Sequence, residues 1–389
     1  MIPFADPGTD AELGLYLHVP FCLRKCPYCS FFSVPVSTEK AVRYCQALAQ
    51  QIDWLAAADW SGGRPFATIF FGGGTPSILP VPDLAVLLRD CRAKFPWAAA
   101  EIEISIEVNP ATVGEIELRQ LRRAGFNRLS VGVQSLDDAE LQALGRPHNG
   151  AEARAVVAAA RRAGFANLNL DLMFGLPGQT AKGWRRTLQA ALDLEPEHLA
   201  IYELTIEENT PFAVLLAQGK LVLPDEDEVL AMMASTAETT TRAGLHRYEI
   251  SNYARPGREC RHNLNYWHNG DYLGLGAGAV SCLDGRRYAA VEDIARYCHL
   301  VEARQEPWAG VEELALEARF RETVIMGLRL TTGVSLTALE RRFGLRAVDY
   351  YGPILRRLAE QGLVASTGDT LRLTATGLAL ANQVMAELV

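Results

Sequence analysis

Short apolar runs alternate with longer amphipathic stretches along the first 245 residues of the chain. The apolar runs have the length of buried strands and occupy positions 13–19, 67–71, 102–108, 128–133, 168–173 and 199–204. The stretches between them repeat apolar residues at helical spacing, at 38–58, 84–94, 113–124, 150–163 and 183–194. Two of them end in Arg-Arg-Ala-Gly-Phe, with Gly125 and Gly164 as helix stop signals. Six such strand–helix units predict an α/β fold with parallel strands, an open partial barrel whose site lies at the carboxyl ends of its strands.

A different pattern begins after the sixth predicted strand. A helical stretch at 225–240 is followed by a polar, turn-rich segment at 248–271. Beyond position 314 the pattern predicts helices, a strand pair at 363–364 and 371–373, and a final helix at 378–389. This order is typical of a winged-helix-like α+β domain. We therefore expect a barrel at 1–245, a connecting region at 246–310 and a winged-helix-like domain at 311–389.

Composition and charge narrow the class of partner. Of the 389 residues, 49% are hydrophobic, enough for a sizeable core, and the net charge is −8. An acidic balance argues against nucleic acid as the main partner, because phosphate binding needs a basic surface. No apolar run reaches the roughly 18 residues of a transmembrane helix, and the N-terminus lacks the features of a secretory signal. The scattered cysteines beyond position 30 indicate reduced thiols, so we expect a cytoplasmic protein.

Three cysteines carry the most specific chemical signal. Cys22, Cys26 and Cys29 occur in the run Cys-Leu-Arg-Lys-Cys-Pro-Tyr-Cys, directly after the first predicted strand. A structural zinc site usually has four ligands in two pairs, and no second pair is found near these cysteines. A disulfide would pair two of the three thiols and leave the third unpaired. Three thiolates suit a four-iron, four-sulfur cluster in which one iron stays open for a substrate or cofactor.

Polar residues follow other predicted strands at the same end of the barrel. The second strand runs into Gly72-Gly73-Gly74-Thr75, where backbone groups can approach a ligand closely. Glu107 lies at the end of the third predicted strand, and Gln134 lies at the end of the fourth. Asp171 lies in the fifth predicted strand, and Arg146 lies between the fourth and fifth strands. A buried carboxylate needs cationic or hydrogen-bonded company, which a bound ligand could provide. Taken alone, the glycine run also fits an ordinary turn, and Glu107 a solvated strand end.

The spacing Cys-x-x-x-Cys-x-x-Cys resembles that of the radical S-adenosylmethionine (SAM) superfamily. Over essentially its whole length the chain is similar to the anaerobic coproporphyrinogen III dehydrogenase family, with a radical SAM partial (β/α)6 barrel. The resemblance implies that Cys22, Cys26 and Cys29 hold a [4Fe-4S] cluster whose open iron binds SAM. It also implies a SAM site formed by Tyr16, Tyr28, Gly73, Gly74, Thr75, Glu107, Gln134, Arg146 and Asp171. In that site Glu107 faces the SAM ammonium, Arg146 its carboxylate and Asp171 the ribose hydroxyls.

Two differences separate the chain from the dehydrogenases that it resembles. Those enzymes continue the motif with Cys-x-Cys where this chain has Phe31, and they have a longer extension than the 21 residues that precede Cys22. The run His262-Asn263-Leu264-Asn265-Tyr266-Trp267 instead resembles the His-Asn-x-x-Tyr-Trp motif of the sister family of HemW-type heme chaperones. Imidazole can ligate heme iron and aromatic rings can stack on a porphyrin, so His262 is a candidate heme ligand. The alternative is a packed loop in which His262 makes a structural hydrogen bond.

The resemblance implies a heme chaperone that binds heme and a SAM-ligated [4Fe-4S] cluster. Its expected partners are heme, an electron donor and acceptor hemoproteins, with respiratory cytochromes as candidates. The residues leave open whether SAM is turned over, which side chains would be catalytic, and therefore whether the chain is an enzyme. The alternatives are an oxygen-independent coproporphyrinogen III dehydrogenase, a radical SAM enzyme that opens or methylates the porphyrin ring, and a DNA-binding sensor of iron or redox state.

Overall fold

The computed structural model describes residues 12–389 and shows an α/β protein. Its strands are Leu13–Val19 (β1), Phe21–Cys22 (β2), Val34–Pro35 (β3), Phe66–Gly73 (β4), Glu103–Val108 (β5), Arg128–Gln134 (β6), Leu168–Phe174 (β7), His198–Glu203 (β8), His246–Arg247 (β9), Asn252–Ala254 (β10), Tyr272–Leu275 (β11), Val280–Leu283 (β12), Arg286–Ala290 (β13), Trp308–Glu313 (β14), Val334–Ser335 (β15), Val364–Thr367 (β16) and Thr370–Leu373 (β17).

Helices follow most of the barrel strands. They are Thr38–Ala57 (α1), Val81–Lys94 (α2), Glu115–Ala124 (α3), Asp138–Ala143 (α4), Gly150–Arg162 (α5), Ala181–Leu192 (α6), Pro211–Ala217 (α7), Glu226–Arg242 (α8), Arg261–Trp267 (α9), Ile294–Glu302 (α10), Leu316–Leu328 (α11), Leu336–Phe343 (α12), Ala347–Glu360 (α13), Ala375–Ala379 (α14) and Ala381–Ala386 (α15). Local capping explains several of their ends: Asn149 and Glu152 form a capping box at the start of α5, and Gly125 ends α3 at φ 116°. Among the helices at 12–389, none combines the length and the apolarity needed to cross a membrane.

One sheet of twelve strands forms the barrel and extends past both of its edges. Strands β1, β4, β5, β6, β7 and β8 pair in parallel in that order, which confirms the predicted six-unit partial barrel. The sheet continues beyond β1 through β11, β12, β13 and β14, and beyond β8 through β10 and β9. The carboxyl ends of the parallel strands therefore meet at one end of the barrel.

The region at 246–310, predicted to connect two domains, contributes strands to both edges of the barrel sheet. Strand β10 pairs with β8 and β9 pairs with β10, whereas β11 pairs in parallel with β1 and leads into β12 and β13. These strands were missed because they are short and have no long apolar run. In the structure this region therefore contributes strands to the barrel sheet. The domain boundaries after residues 245 and 310 remain predictions.

The C-terminal part of the chain has a hydrophobic core of its own. Its core residues lie between Phe320 and Leu388, on α11, α12, α13, α15 and a three-stranded sheet of order β15-β17-β16. Helices followed by a small antiparallel sheet confirm the winged-helix-like pattern. The single final helix expected at 378–389 is instead two short helices, α14 and α15.

The C-terminal part packs on α9, the helix that carries the His-Asn-x-x-Tyr-Trp run. The guanidinium of Arg329 lies 4.2 Å from the ring centre of Trp267, a cation–π contact. Its Nη2 donates to the fully buried carboxylate of Glu249 at 3.2 Å. The amide of Asn269 donates to Thr323 Oγ1 at 2.9 Å. These contacts join the C-terminal part to the end of α9 and to the segments beside it.

Candidate functional site

A cavity of about 680 Å³ opens at the carboxyl ends of the parallel strands and extends into the barrel. Every residue that the sequence predicts for the cluster, SAM or heme lines it: Tyr16, Cys22, Cys26, Tyr28, Cys29, Gly73, Gly74, Thr75, Glu107, Gln134, Arg146, Asp171 and His262. The volume is in the range of cofactor sites. The structure thus brings all of these residues to one cavity, and their individual roles stay predictions.

The cysteine loop follows β1 and presents its three thiols to the cavity. The Sγ atom of Cys22 lies 3.7 Å from Thr75 Oγ1, and Arg146 Nη1 donates to Cys26 Sγ at 3.8 Å. Burial raises the pKa of the Cys29 thiol above its ordinary value, so a positive group is needed to hold it as a thiolate.

The three thiols fit an iron–sulfur cluster in donor type, and all of them line one cavity. Within residues 12–389, no three His, Cys, Asp or Glu side chains stand close enough to hold one metal ion. A four-iron, four-sulfur cluster does not require its three thiolates to meet at one metal ion, because each thiolate binds a separate iron. Gly74 lies against the loop so closely that a Cβ there would come within 2.6 Å of Phe21 O and 3.0 Å of Cys22 Sγ. Glycine at this position therefore leaves room beside Cys22, a predicted cluster ligand, that a larger residue would fill.

The glycine run joins the cysteine loop to Glu107, a carboxyl group on the cavity wall. Gly73 has φ 115°, which favours glycine, and its Cβ would lie 2.7 Å from the His18 ring. The Gly73 N–H donates to Glu107 Oε2 at 3.1 Å. This arrangement places a backbone donor and an acidic acceptor side by side at the end of β4 and β5.

Two carboxyl groups share the interior of the barrel. Burial raises the pKa of Glu107 to about 8, the charge of Asp171 adds to this rise, and the Gly73 N–H and Arg128 oppose it. Burial also raises the pKa of Asp171 to about 6, opposed by hydrogen bonds from Asn169 (2.6 Å) and Ser130 (3.3 Å) and by the charge of Arg128. At neutral pH Glu107 is therefore mostly protonated and Asp171 mostly ionised.

The raised pKa of Glu107 predicts a pH-dependent stability for the ligand-free protein. The folded state keeps a proton on Glu107 between the ordinary pKa of 4.5 and about 8, so this stabilisation is complete below 4.5 and is lost as the pH rises through 8. We expect Glu107→Gln, which is neutral at every pH and can still accept from Gly73, to lose less stability between about pH 6 and about pH 9. Urea unfolding at both pH values measures this, with the exposed Glu101→Gln as a control. Parallel pH profiles for Glu107→Gln and the parent would contradict the assignment.

Gln134 and Arg146 lie together at the end of β6. Gln134 has φ 65°, a conformation rare for residues other than glycine, at a register shift between β6 and β7. Arg146 Nη2 donates to Gly132 O at 2.8 Å, and its buried Nε has no hydrogen-bond partner among the residues at 12–389. A cation with a free donor at the cavity wall fits the carboxylate of a ligand.

Two tyrosines, Tyr16 and Tyr28, line the cavity. The Tyr16 hydroxyl lies 3.0 Å from His18 Nδ1, and its ring stacks on Phe70. Tyr28 packs against Phe212. Burial raises the pKa of Tyr28, and the positive charge of Arg146 opposes this rise. Burial also raises the pKa of Tyr16, so both phenols are neutral at physiological pH.

His262 lies at the opposite end of the barrel from the cysteines. Its side chain is 1% exposed, and its Nδ1 and Nε2 lie 2.8 Å from Thr68 Oγ1 and 3.0 Å from Tyr266 Oη. Burial, with a smaller contribution from Arg128, lowers its pKa to about 3, so the ring is neutral. Both ring nitrogens are engaged, as in the structural alternative considered for this motif. The predicted ligation of heme iron by His262 requires one of these bonds to break and stays a prediction.

The cavity wall also contains a group of buried polar residues that was not predicted from the sequence. Arg128, Asn169 and His198 all line the cavity and are at most 2% exposed. Burial lowers the pKa of His198 well below its ordinary value, so neutral His198 donates from Nδ1 to Asn169 Oδ1 at 2.6 Å, and its Nε2 accepts from Tyr248 at 2.8 Å. The available signal was Arg128 itself, a cation at the start of an otherwise apolar strand.

Comparison with known proteins identifies the family. Residues 16–191 match the radical SAM superfamily and residues 314–380 match the HemN C-terminal domain. The chain is 35% identical over 369 residues to a protein of Bacillus subtilis (strain 168) named heme chaperone HemW, covering 95% of this chain and 97% of that protein. The chain belongs to the HemW family. The heme chaperone HemW of Escherichia coli (strain K12) is 44% identical over 278 residues, 70% of this chain and 72% of that protein.

A solved structure supports the fold of this HemW-family chain over its whole length. The coproporphyrinogen III oxidase (HemN) from Escherichia coli, described as a radical SAM enzyme, superposes with a TM-score of 0.85 at 27% identity. The match covers 98% of this chain and 91% of HemN. The predicted resemblance to both families, and the predicted fold class, are thereby confirmed.

Proposed function

We propose that this HemW-family chain is a heme chaperone that binds heme and a SAM-ligated [4Fe-4S] cluster and delivers heme to acceptor hemoproteins. The observation that carries the proposal is the 35% identity to a heme chaperone HemW over 95% of the chain. An electron donor, acceptors such as respiratory cytochromes, and a cytoplasmic location belong to the same proposal.

The cavity residues divide the work of holding the cofactors. Cys22, Cys26 and Cys29 would ligate three irons of the cluster, and the bound cluster and SAM supply one-electron chemistry. Arg146, already 3.8 Å from Cys26 Sγ, partly offsets the negative charge of the thiolates. Thr75 Oγ1 lies close enough to Cys22 Sγ to fix its orientation.

The SAM molecule would lie along the ends of β4 to β7. Glu107 would accept from its ammonium and Arg146 would hold its carboxylate through a charge-assisted hydrogen bond. Asp171 would bind the ribose hydroxyls, and the strained Gln134 would offer both a donor and an acceptor. Tyr16, Tyr28, Gly73 and Gly74 would shape the walls.

The second candidate function is oxygen-independent coproporphyrinogen III dehydrogenation. The similarity to HemN, with a TM-score of 0.85 over 98% of this chain, favours it. Against it stands Phe31, which is 70% exposed at the position where the dehydrogenase motif has a further cysteine.

One anaerobic experiment separates the two functions. The reconstituted protein is given SAM, a reductant and coproporphyrinogen III, and protoporphyrin and 5′-deoxyadenosine are measured by chromatography. A parallel sample receives heme and an apo-hemoprotein. We expect no porphyrin product, tight heme binding and transfer of heme to the acceptor. Protoporphyrin formed over many turnovers would instead establish a dehydrogenase and refute the chaperone proposal.

A further inference from the structure

The ring of His262 is 1% exposed and closely packed, and its side chain lines the cavity deep in the barrel. Towards the barrel, the ring of His262 stacks on Phe70 at a centroid distance of 5.1 Å. On the outer side of α9, the Arg329 guanidinium covers Trp267 at 4.2 Å. Glu103 accepts from the N–H groups of Arg261 and His262, which fastens the start of the helix. A flat, rigid macrocycle would have to displace the C-terminal part or enter the barrel to reach this helix.

The mouth of the cavity offers an apolar surface at the other end of the barrel. Leu23 and Phe31 both belong to the cysteine loop, line the cavity and are 48% and 70% exposed. Tyr202, at the end of β8, lines the same cavity and is 41% exposed. Large exposed apolar side chains grouped at the rim of a concave site are typical of ligand-binding surfaces.

The charges around the mouth are unevenly distributed. Arg24 and Lys25 lie between Leu23 and the second cysteine, and both are exposed. Arg24 donates from Nη2 to Arg146 O at 3.0 Å, while no described residue forms a hydrogen bond or an ion pair with Lys25. Two acidic residues also line the cavity: Glu203, the last residue of β8, and Glu207, which follows this strand. An amphipathic ligand with acidic groups on one edge would therefore be oriented with that edge toward the cysteine loop.

We infer that heme binds at the mouth of the barrel, with its macrocycle on Leu23 and Phe31 and its propionates toward Arg24 and Lys25. The inference rests on the proposed function and gives the heme a location that is distinct from the His262 helix. Heme matches this surface because it combines a broad apolar face with two carboxylates on one edge. In this position it lies over the cluster loop, so loading of the cluster and of SAM can alter heme affinity.

Heme titrations of surface variants test this location. The reconstituted protein is titrated with heme and the Soret absorbance is followed. We expect Phe31→Ser to weaken binding by about tenfold and the double variant Leu23→Ser/Phe31→Ser by more, because each loses apolar contact area. Lys25→Glu should weaken heme binding several-fold but leave the binding of heme dimethyl ester, which lacks the carboxylates, unchanged.

Matched controls keep the result specific. Val311→Ser removes a residue that is 57% exposed on β14, away from the cavity, and should bind heme like the parent protein. Iron and sulfide contents are measured for each variant, because Phe31 and Leu23 are close to cluster ligands in the chain. His262→Ala is titrated as well, and a heme spectrum identical to that of the parent supports the mouth site.

The outcomes separate the inference from the proposed function. If the parent binds heme and the Leu23, Phe31 and Lys25 variants bind it equally well, the mouth site is refuted while the chaperone proposal stands. A changed Soret band in folded His262→Ala, with unaffected Phe31→Ser, would move the heme to α9. If the parent binds no heme at all, both proposals fail.

Discussion

Replacing Cys22, Cys26 and Cys29 together by alanine is expected to abolish the binding of iron, sulfide and SAM. The cause is direct: these are the cysteines that line the cavity among the residues described, and SAM needs the open iron of their cluster. Cys22 ends the short strand β2 and the other two cysteines lie in the loop after it, all outside the twelve-stranded barrel sheet, so the far-ultraviolet circular dichroism should be unchanged. Iron and sulfide analysis after anaerobic reconstitution, followed by equilibrium dialysis with SAM, measures the loss.

The control for this experiment is Cys282→Ala. Cys282 is a free thiol in β12, outside the cavity, and its replacement should leave iron, sulfide and SAM binding at parental levels. Full iron and sulfide content in the triple variant would show that other ligands hold the cluster. It would also remove the basis for the SAM site around Glu107 and Arg146.

Glu249→Ala is expected to destabilise the protein by about 3–5 kcal/mol, the usual cost of removing one partner of a buried ion pair. The Glu249 carboxylate is fully buried and accepts from Ser251 N at 2.8 Å, Asn252 Nδ2 at 2.5 Å and Arg329 Nη2 at 3.2 Å. Its removal leaves these donors unsatisfied and frees the arginine that joins the C-terminal part to α9. Thermal and urea unfolding of the ligand-free protein measure the change.

Two further variants show whether the buried charge is the cause. Glu249→Gln keeps an acceptor for Ser251 but loses the charge, so its destabilisation should be smaller than that of Glu249→Ala. Arg43→Ala breaks an ion pair with Glu302 that lies at the surface, and we expect no measurable shift of its unfolding midpoint. Equal midpoints for Glu249→Ala and the parent would show that the interface does not depend on this carboxylate.

The heme site inferred at the mouth of the barrel is compatible with either of the two candidate functions. A porphyrin over the cysteine loop is compatible with a chaperone and with a dehydrogenase, because both would hold a tetrapyrrole near SAM. The side chain of Phe31, which is 70% exposed, would distinguish them, since it would give the ligand an apolar contact where the dehydrogenase motif has a thiol. Heme affinity and porphyrin turnover of Phe31 variants therefore report on separate questions.

Much of the barrel could be predicted because the signals for it are local. The strand predicted at 13–19 is observed as Leu13–Val19, and the other five parallel strands are observed within two residues of their expected limits. Alternation of apolar strands with amphipathic helices depends on residues a few positions apart, as does the spacing of Cys22, Cys26 and Cys29. Active sites of such barrels lie at the carboxyl ends of the strands, so Glu107 and Asp171 could be predicted to lie near the cysteines without any knowledge of tertiary contacts.

The sequence by itself thus determined the barrel, the cysteine loop and the polar residues at the ends of the barrel strands. Only the tertiary structure decided that His262 is buried, because its partner Thr68 lies 194 residues away in the chain. It likewise decided that the 246–310 region completes both edges of the sheet, and that Arg128 and His198 belong to the cavity wall. Burial and pairing of this kind depend on which distant segments meet, and residue spacing along one chain contains no record of that.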